Sequence, residues 1–243
     1  MIKIEKLTKK FGNVTAVDNL SLEIRQGEIF GLLGENGAGK TTTLRMLATM
    51  LTPSSGTAAI FGIDVKSQPE KVRSKIGILF GGESGLYDRL TAAENIAYFG
   101  ELNDIDKNTI AQRIEYFSRV FGMGEYMNRR ASKLSKGMKQ KVAFARSIIH
   151  NPDVMLFDEP TSGLDVTASR EVHDFIYDCK KNGKTIVFSS HTMSEVEKLC
   201  DRIGIIHKGR LVDVGTLDGL KAKYGKSCIE EIFIGLVGGK SET

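Results

Sequence analysis

The residues Gly34-Glu35-Asn36-Gly37-Ala38-Gly39-Lys40-Thr41 fit the pattern G-x-x-x-x-G-K-[ST]. They follow an apolar run, "EIFGLL" (28–33), and precede a stretch over 40–50 in which Leu44, Leu47 and Leu51 recur at helical spacing. Glycines in that setting let successive backbone N–H groups converge on phosphate oxygens, and the positive end of the following helix adds to the attraction. Lys40 is placed to reach the β and γ phosphates of a nucleoside triphosphate, and the Thr41 hydroxyl to bind Mg²⁺. Gly34, Asn36, Gly37, Ala38, Gly39, Lys40, Thr41 and Thr42 form the expected phosphate cradle.

Two acids and a histidine supply the remaining chemistry. Asp158 and Glu159 end "DVMLFDE" (153–159), the most apolar strand of the chain, and His191 follows "KTIVFSS" (184–190). In an open α/β sheet, ligands bind beyond the carboxyl ends of the strands, which puts all three on the edge that carries the phosphate loop. Asp158 suits a carboxylate for Mg²⁺. Glu159, one residue further out, is placed to orient and deprotonate an attacking water. His191 is suited to hydrogen-bond the γ-phosphate or its nucleophile.

The stretch "KLSKGMKQK" (133–141) poses an electrostatic puzzle. Ser135 reads as the N-cap of a helix that reaches about His150. The first turn of a helix disfavours cations, yet lysines stand at 133, 136, 139 and 141. Met138, Val142, Ala145 and Ile149 recur as a buried stripe, leaving Lys136 and Lys139–Gln140 to face outward.

These residues must be held by a definite set of elements. Short strands are expected over 2–33, in "IKIEKL", "LSLEI" and "EIFGLL", and again in "KIGILF" (75–80), 153–159 and 184–190. Continuous apolar strands alternating with helices indicate a parallel sheet covered on both faces. Between about 84 and 134 the pattern turns helical, in "TAAENIAYFGELN", "NTIAQRIEYFSRVFG" and a short third helix, as an insertion between two strands. "RIGIIHKGRLVDVG" (202–215) reads as a hairpin turning at His207-Lys208-Gly209, and two helical patterns close the chain.

At 243 residues, with 41% hydrophobic and 26% charged, the chain suits one large domain or a core with one subdomain. A net charge of +4 is too small to argue for nucleic acid, though it is compatible with work beside an anionic membrane surface. Cys179, Cys200 and Cys228 show no metal or disulfide spacing, which fits a reducing cytoplasm. The N-terminus lacks the apolar core of a signal peptide, and no apolar run approaches the roughly 20 residues needed to cross a bilayer. A role in transport would require another chain to form the membrane path.

Taken together, the phosphate loop, "LSKGMKQK" (134–141), "MLFDEP" (155–160), "SGLD" (162–165) and His191, in this order, resemble the ATP-binding subunits of ABC transporters over essentially the whole chain. The resemblance implies an α/β fold: a P-loop NTPase core with a mixed or parallel sheet, flanking helices and an N-terminal antiparallel β-subdomain, plus an inserted α-helical subdomain. The implied division is 1–83 and 135–216 for the ATP-binding core, 84–134 for the helical subdomain and 217–243 for a C-terminal helical tail. The implied activity is ATP hydrolysis coupled to transmembrane transport, with ATP and Mg²⁺. Two ATPase subunits, identical or different, are expected to pair head to tail at the cytoplasmic side of a membrane, attached through a separate permease, with no nucleic-acid partner. Ser135, Lys136 and Gly137 of one subunit would contact the nucleotide held by the other, and Asp165 would lie in the loop communicating between the two sites. Phe11 stands where the family places an aromatic against adenine, a stacking worth about 1–3 kcal/mol per base.

Two departures from the family pattern stand out. The usual Leu-Ser-Gly-Gly-Gln has Lys136 in place of a glycine and Met138 in place of the glutamine. The strand "IGILF" is followed by Gly81, Gly82 and Glu83 where the family has a glutamine that contacts Mg²⁺ and water. Glycine offers no ligand, so this segment is read as a hinge, with substitution by Glu83 as the alternative. The variant signature, "FGGESGLYDRLTAAENI" (80–96) and "EEIFIGLVGG" (230–239) resemble single-domain ATPases served by an ABC-2-type permease. That subgroup includes bacterial sodium-extrusion pumps, the nearer likeness, and drug or polysaccharide exporters.

Competing readings fit less well. A GTPase would need the guanine-reading N-K-x-D, which does not occur, and a small-molecule kinase would not need the signature-like helix start. Non-transport ABC ATPases usually carry a coiled-coil insertion or tandem domains, whereas this chain has one phosphate loop and no long heptad run. A nucleic-acid binder would interleave aromatics with its lysines.

Overall fold

The computed structural model describes residues 1–80 and 85–238, and these build two sheets and the helices that cover them. Strands β1 (Ile2–Phe11) and β2 (Val14–Ile24) form a hairpin, and β1 pairs on its other side with β4 (Ser55–Ile60), itself joined to β5 (Ile63–Asp64). This is a four-stranded antiparallel sheet. Both long strands outrun the apolar alternation seen in sequence, because register shifts bend them near Lys6 and Asn19, whose φ values are 48 and 51. β4 had no sequence signal: "SGTAAI" is small and weakly strand-forming, and it is recruited by the free edge of β1.

The second sheet runs β10-β9-β3-β8-β7-β6. Its members are β3 (Ile29–Leu33), β6 (Ile76–Leu79), β7 (Val154–Asp158), β8 (Thr185–Ser190), β9 (Arg202–His207) and β10 (Arg210–Thr216). All pair in parallel except β10, which returns antiparallel along β9. The parallel strands were expected to be buried on both faces, and β3, β7 and β8 are buried at every residue. Successive side chains point to opposite faces and feed two cores. Ile29, Leu33, Met155, Phe157, Ile186 and Phe188 enter one; Phe30, Leu32, Val154, Leu156 and Val187 enter the other.

The helices are α1 (Lys40–Leu47), α2 (Pro69–Arg73), α3 (Ala92–Leu102), α4 (Lys107–Val120), α5 (Lys136–Ile148), α6 (Val166–Lys181), α7 (Met193–Leu199), α8 (Leu217–Tyr224) and α9 (Ile229–Gly238). A capping box starts α3: Glu94 N–H donates to Thr91 Oγ1 at 3.1 Å, and Thr91 N–H to Glu94 Oε2 at 2.7 Å. The short third helix expected after α4 is instead two 3₁₀ turns, Gly124–Tyr126 and Ala131–Lys133. Among the described residues no helix is long and apolar enough to cross a membrane.

Helix α5 starts as expected, with Ser135 Oγ accepting from Met138 N–H at 3.3 Å. Val142, Ala145 and Ile149 are fully buried, but Met138 only partly, and Ala143 and Phe144 widen the buried face. The outward placement of Lys139–Gln140 needs correction. Lys139 pairs with Asp88 at 3.6 Å, and Gln140 Nε2 donates to Pro160 O at 3.2 Å. Lys141 Nζ donates to Phe121 O at 2.9 Å and to Glu171 Oε2 at 2.6 Å. The helix runs between the helical insertion and the segment after β7, so its polar flank meets protein on both sides. Of the four positions 136 and 139–141, only Lys136 is exposed.

Phe144 joins the helical insertion to the sheet, with ring centroids 4.8 Å from Phe157, 5.4 Å from Phe121 and 5.7 Å from Phe175. Phe144→Ala is expected to cost about 3–5 kcal/mol in urea denaturation, through lost burial and the cavity left at this junction.

Candidate functional site

The phosphate-loop residues connect the end of β3 to the start of α1. Lys40 Nζ donates to Gly34 O at 2.6 Å and Glu35 O at 3.0 Å, and Thr43 Oγ1 donates to Gly39 O at 2.9 Å. Asn36 and Gly37 are exposed at the crest, Ala38 is buried beneath them, and Thr41 and Thr42 are half-buried in the first turn of α1. The loop is also braced from outside. The β9–β10 hairpin turns at Lys208-Gly209, both with positive φ (46 and 80), a turn that suits the twist of paired strands. Gly209 N–H donates to Ala38 O at 2.9 Å, while Gly209 O accepts from Asp18 N–H at 2.8 Å. A Cβ on Gly39 would approach Ala16 O to 2.5 Å, and one on Gly209 to 2.9 Å. Loop, hairpin turn and β2 therefore meet at a junction sized for glycine. Phe11, at the far end of the same β1–β2 hairpin, is 48% exposed, and Lys9 Nζ lies 5.0 Å from its ring centroid.

The ends of β7 and β8 complete the same edge. Parallel pairing sets Asp158 level with Ser189. Thr41 Oγ1 lies 3.0 and 2.8 Å from the two Asp158 carboxylate oxygens, and Ser189 Oγ donates to Asp158 Oδ1. Asp158 and Lys40 are 6% and 5% exposed. Burial pushes the Lys40 ammonium below its ordinary range, and the charges of Glu159, Asp158 and Glu35 pull it part of the way back. Glu159 adopts φ 48, a left-handed conformation that costs of order 1–3 kcal/mol for a non-glycine residue. Its N–H donates to Ser189 O at 3.1 Å, and its Oε1 meets His191 Nδ1 at 2.8 Å. Sequence reading set both residues on this edge but did not foresee that they touch. Gly81 and Glu83, read as hinge or substitute ligand, lie outside the described residues.

Ser135, Lys136 and Gly137 are not brought to the phosphate loop of their own chain: no hydrogen bond or ion pair among the described residues links them to 34–42. They rest against the 162–165 segment instead. A Cβ on Gly163 would come within 2.9 Å of Lys136 Cε, and one on Gly137 within 3.9 Å of Leu164 Cδ2. Asp165 caps α6, its Oδ1 accepting from Ala168 N–H at 2.8 Å.

A polar cluster beneath these segments escaped sequence reading. Glu195, 8% exposed, accepts from Thr161 Oγ1 at 2.7 Å, His173 Nε2 at 3.0 Å and Ser190 Oγ at 2.7 Å. A signal existed, since Glu195 stands four residues before Leu199 and beside Val196, on the buried face of α7.

Comparison with known proteins follows the same lines. A family model described as ABC transporter matches residues 17–162. The ABC transporter ATP-binding protein NatA of Bacillus subtilis is 49% identical over 238 residues, spanning 96% of this chain and 97% of that one. The bacitracin transport ATP-binding protein BcrA of Bacillus licheniformis is 38% identical over 227 residues, 93% of this chain and 73% of that one. A solved structure of an ATP-binding subunit of an ABC transporter superposes with a TM-score of 0.91 at 26% identity, covering 97% of this chain and 99% of that one. A dimeric ATP-binding cassette in a post-hydrolysis state with ADP and Pi gives 0.82 at 26% identity, covering 89% and 99%.

The Glu195 carboxylate yields a pH test. Burial alone would raise it, but the donors His173, Thr161 and Ser190 outweigh burial and hold it below the ordinary 4.5. A depressed native value means stability present above 4.5 and lost as pH falls through that native value. Urea melts of wild type and Glu195→Gln should therefore converge as the solution is acidified below 4.5.

Proposed function

Because the chain belongs to the ABC transporter ATP-binding family and is an ATPase, we propose that it powers a separate transmembrane permease of ABC-2 type from the cytoplasmic side of a membrane. Two copies, or this chain and a related one, bind two MgATP head to tail and close around them. The observation that carries this reading is the convergence of Lys40, Asp158 and the Glu159–His191 contact on one sheet edge, while among the described residues no hydrogen bond or ion pair joins Ser135–Gly137 to the nucleotide loop of their own chain.

Each residue has a task in the proposed cycle. Lys40 exchanges its bonds to Gly34 O and Glu35 O for phosphate oxygens. Thr41 and Asp158 offer hard oxygen donors, and a site with a single carboxylate suits Mg²⁺, which takes its other ligands from water and substrate phosphates. When bound, the ion neutralises charge on the β and γ phosphates. Glu159 accepts the proton of the attacking water, and His191 fixes the direction of its carboxylate. Phe11 stacks on the base. Ser135, Lys136 and Gly137 contact the nucleotide of the opposite subunit, and Asp165 belongs to the segment between the two sites. Those contacts exist only in the closed pair, and only such a difference in affinity lets binding drive closure. The helical subdomain (84–134) passes the movement to the permease.

For the cargo we favour the sodium ion, on the resemblance of the variant signature and C-terminal tail to sodium-extrusion ATPases. Export of a drug is the second reading, favoured by relatives named for bacitracin transport and for daunorubicin/doxorubicin resistance.

Glu159→Gln should abolish turnover and trap an ATP-bound dimer visible by size-exclusion chromatography; normal hydrolysis would overturn the assignment. Lys136→Gly restores the family's glycine at that one position, removing an ammonium from the closed interface. ATP-driven dimerisation should then lose part of its salt dependence in sedimentation equilibrium, and an unchanged salt dependence would leave Lys136 a surface lysine.

A further inference from the structure

Both partners of the Glu159–His191 contact hang from segments that share a single buried anchor. Ser190 immediately precedes His191, and its hydroxyl donates to Glu195 Oε2 at 2.7 Å. The same hydroxyl accepts from Thr192 N–H at 3.0 Å, so it clamps the backbone on both sides of His191. Thr161, two residues beyond Glu159, donates to Glu195 Oε1 at 2.7 Å, and His173 Nε2 meets that oxygen at 3.0 Å. Ser162 N–H closes a turn onto Glu159 O at 3.0 Å, continuing the connection to the left-handed residue. Four elements thus end on one carboxylate: the segment after β7, helix α6, the end of β8 and the first turn of α7.

We propose that Glu195 is a positioning residue for ATP hydrolysis, holding the 161–165 segment and the His191 backbone in one fixed relation so that His191 meets Glu159. The proposal rests on the reading of Glu159 and His191 as the hydrolytic pair. A carboxylate suits this position because every neighbour that reaches it is a donor, and it carries two acceptor oxygens to share among three of them. Glutamine keeps the shape but turns one acceptor into an –NH₂. That group must then face Ser190 Oγ, which already accepts from Thr192 N–H, or displace Thr161 and His173. Movement of the 161–165 segment, which touches Lys136 and Gly137, would reach His191 by the same route.

The test is ATPase kinetics on the full chain with Glu195→Gln, His191→Ala and the double variant, beside equilibrium binding of a fluorescent ATP analogue. Glu195→Gln should lower kcat about tenfold or more while KM and analogue affinity stay within about twofold. The double variant should fall within about threefold of His191→Ala alone, because residues acting through one another are not additive. Thr161→Val and Ser190→Ala, which cut the tethers singly, should each reproduce part of the loss and serve if Glu195→Gln folds poorly. An unchanged kcat in folded Glu195→Gln, or losses that multiply fully in the double variant, would overturn the proposal alone. Full turnover by His191→Ala would overturn the site reading and this proposal with it.

Discussion

Two opposite charges, on Lys40 and Asp158, are almost entirely withdrawn from water at one edge of the parallel sheet. A buried charge is tolerable only when hydrogen-bonded, and the local fold is the answer to that demand. Asp158 takes hydroxyl donors from two directions, Thr41 at the start of α1 and Ser189 at the end of β8. Lys40 curls back on its own loop, onto two carbonyl oxygens whose lone pairs point inward. Register follows from this, since Ser189 reaches Asp158 only because β7 and β8 run parallel and end level. A one-residue slip would turn each side chain to the opposite face and leave the carboxylate without its donor.

Rigidity of that edge comes from two cores rather than one. Strands β3, β7 and β8 are apolar at nearly every position because each face meets a different partner: α1 and the antiparallel sheet on one side, the helical insertion and α5–α6 on the other. Phe144 sits where the insertion meets the sheet, and α5, which carries it, begins at the signature residues. One packed helix therefore joins the insertion to Ser135–Gly137.

The parts of the site governed by short-range requirements were legible from sequence. Glycines before a lysine and threonine, or acids at the end of an apolar strand, are placed by backbone geometry and burial, and these leave signatures within a few residues. Central strands were legible for the same reason. What depended on distant segments was not. β4 exists because β1 offers it an edge, and its small residues say nothing of that. Lys139 and Gln140 looked solvent-facing on a helical wheel, yet Asp88 and Pro160 meet them from other elements. The contact of Glu159 with His191 joins strands separated by a helix, and Glu195 reads as one acid among several until the burial of α7 is known.

Hairpin tips are ordinarily the most forgiving places in a protein, where extra residues, tags or whole domains can be spliced in without harm. The Lys208–Gly209 tip is an exception. Gly209 spends its N–H on Ala38 and its carbonyl on Asp18, and its α-carbon has no room for a side chain against Ala16. Lengthening this turn would unpin the phosphate loop although the added residues would lie on the surface. Tolerance of insertion is thus decided by who uses the tip's backbone. In this fold a two-residue turn is also among the least editable loops, and variation among relatives should collect at other loops instead.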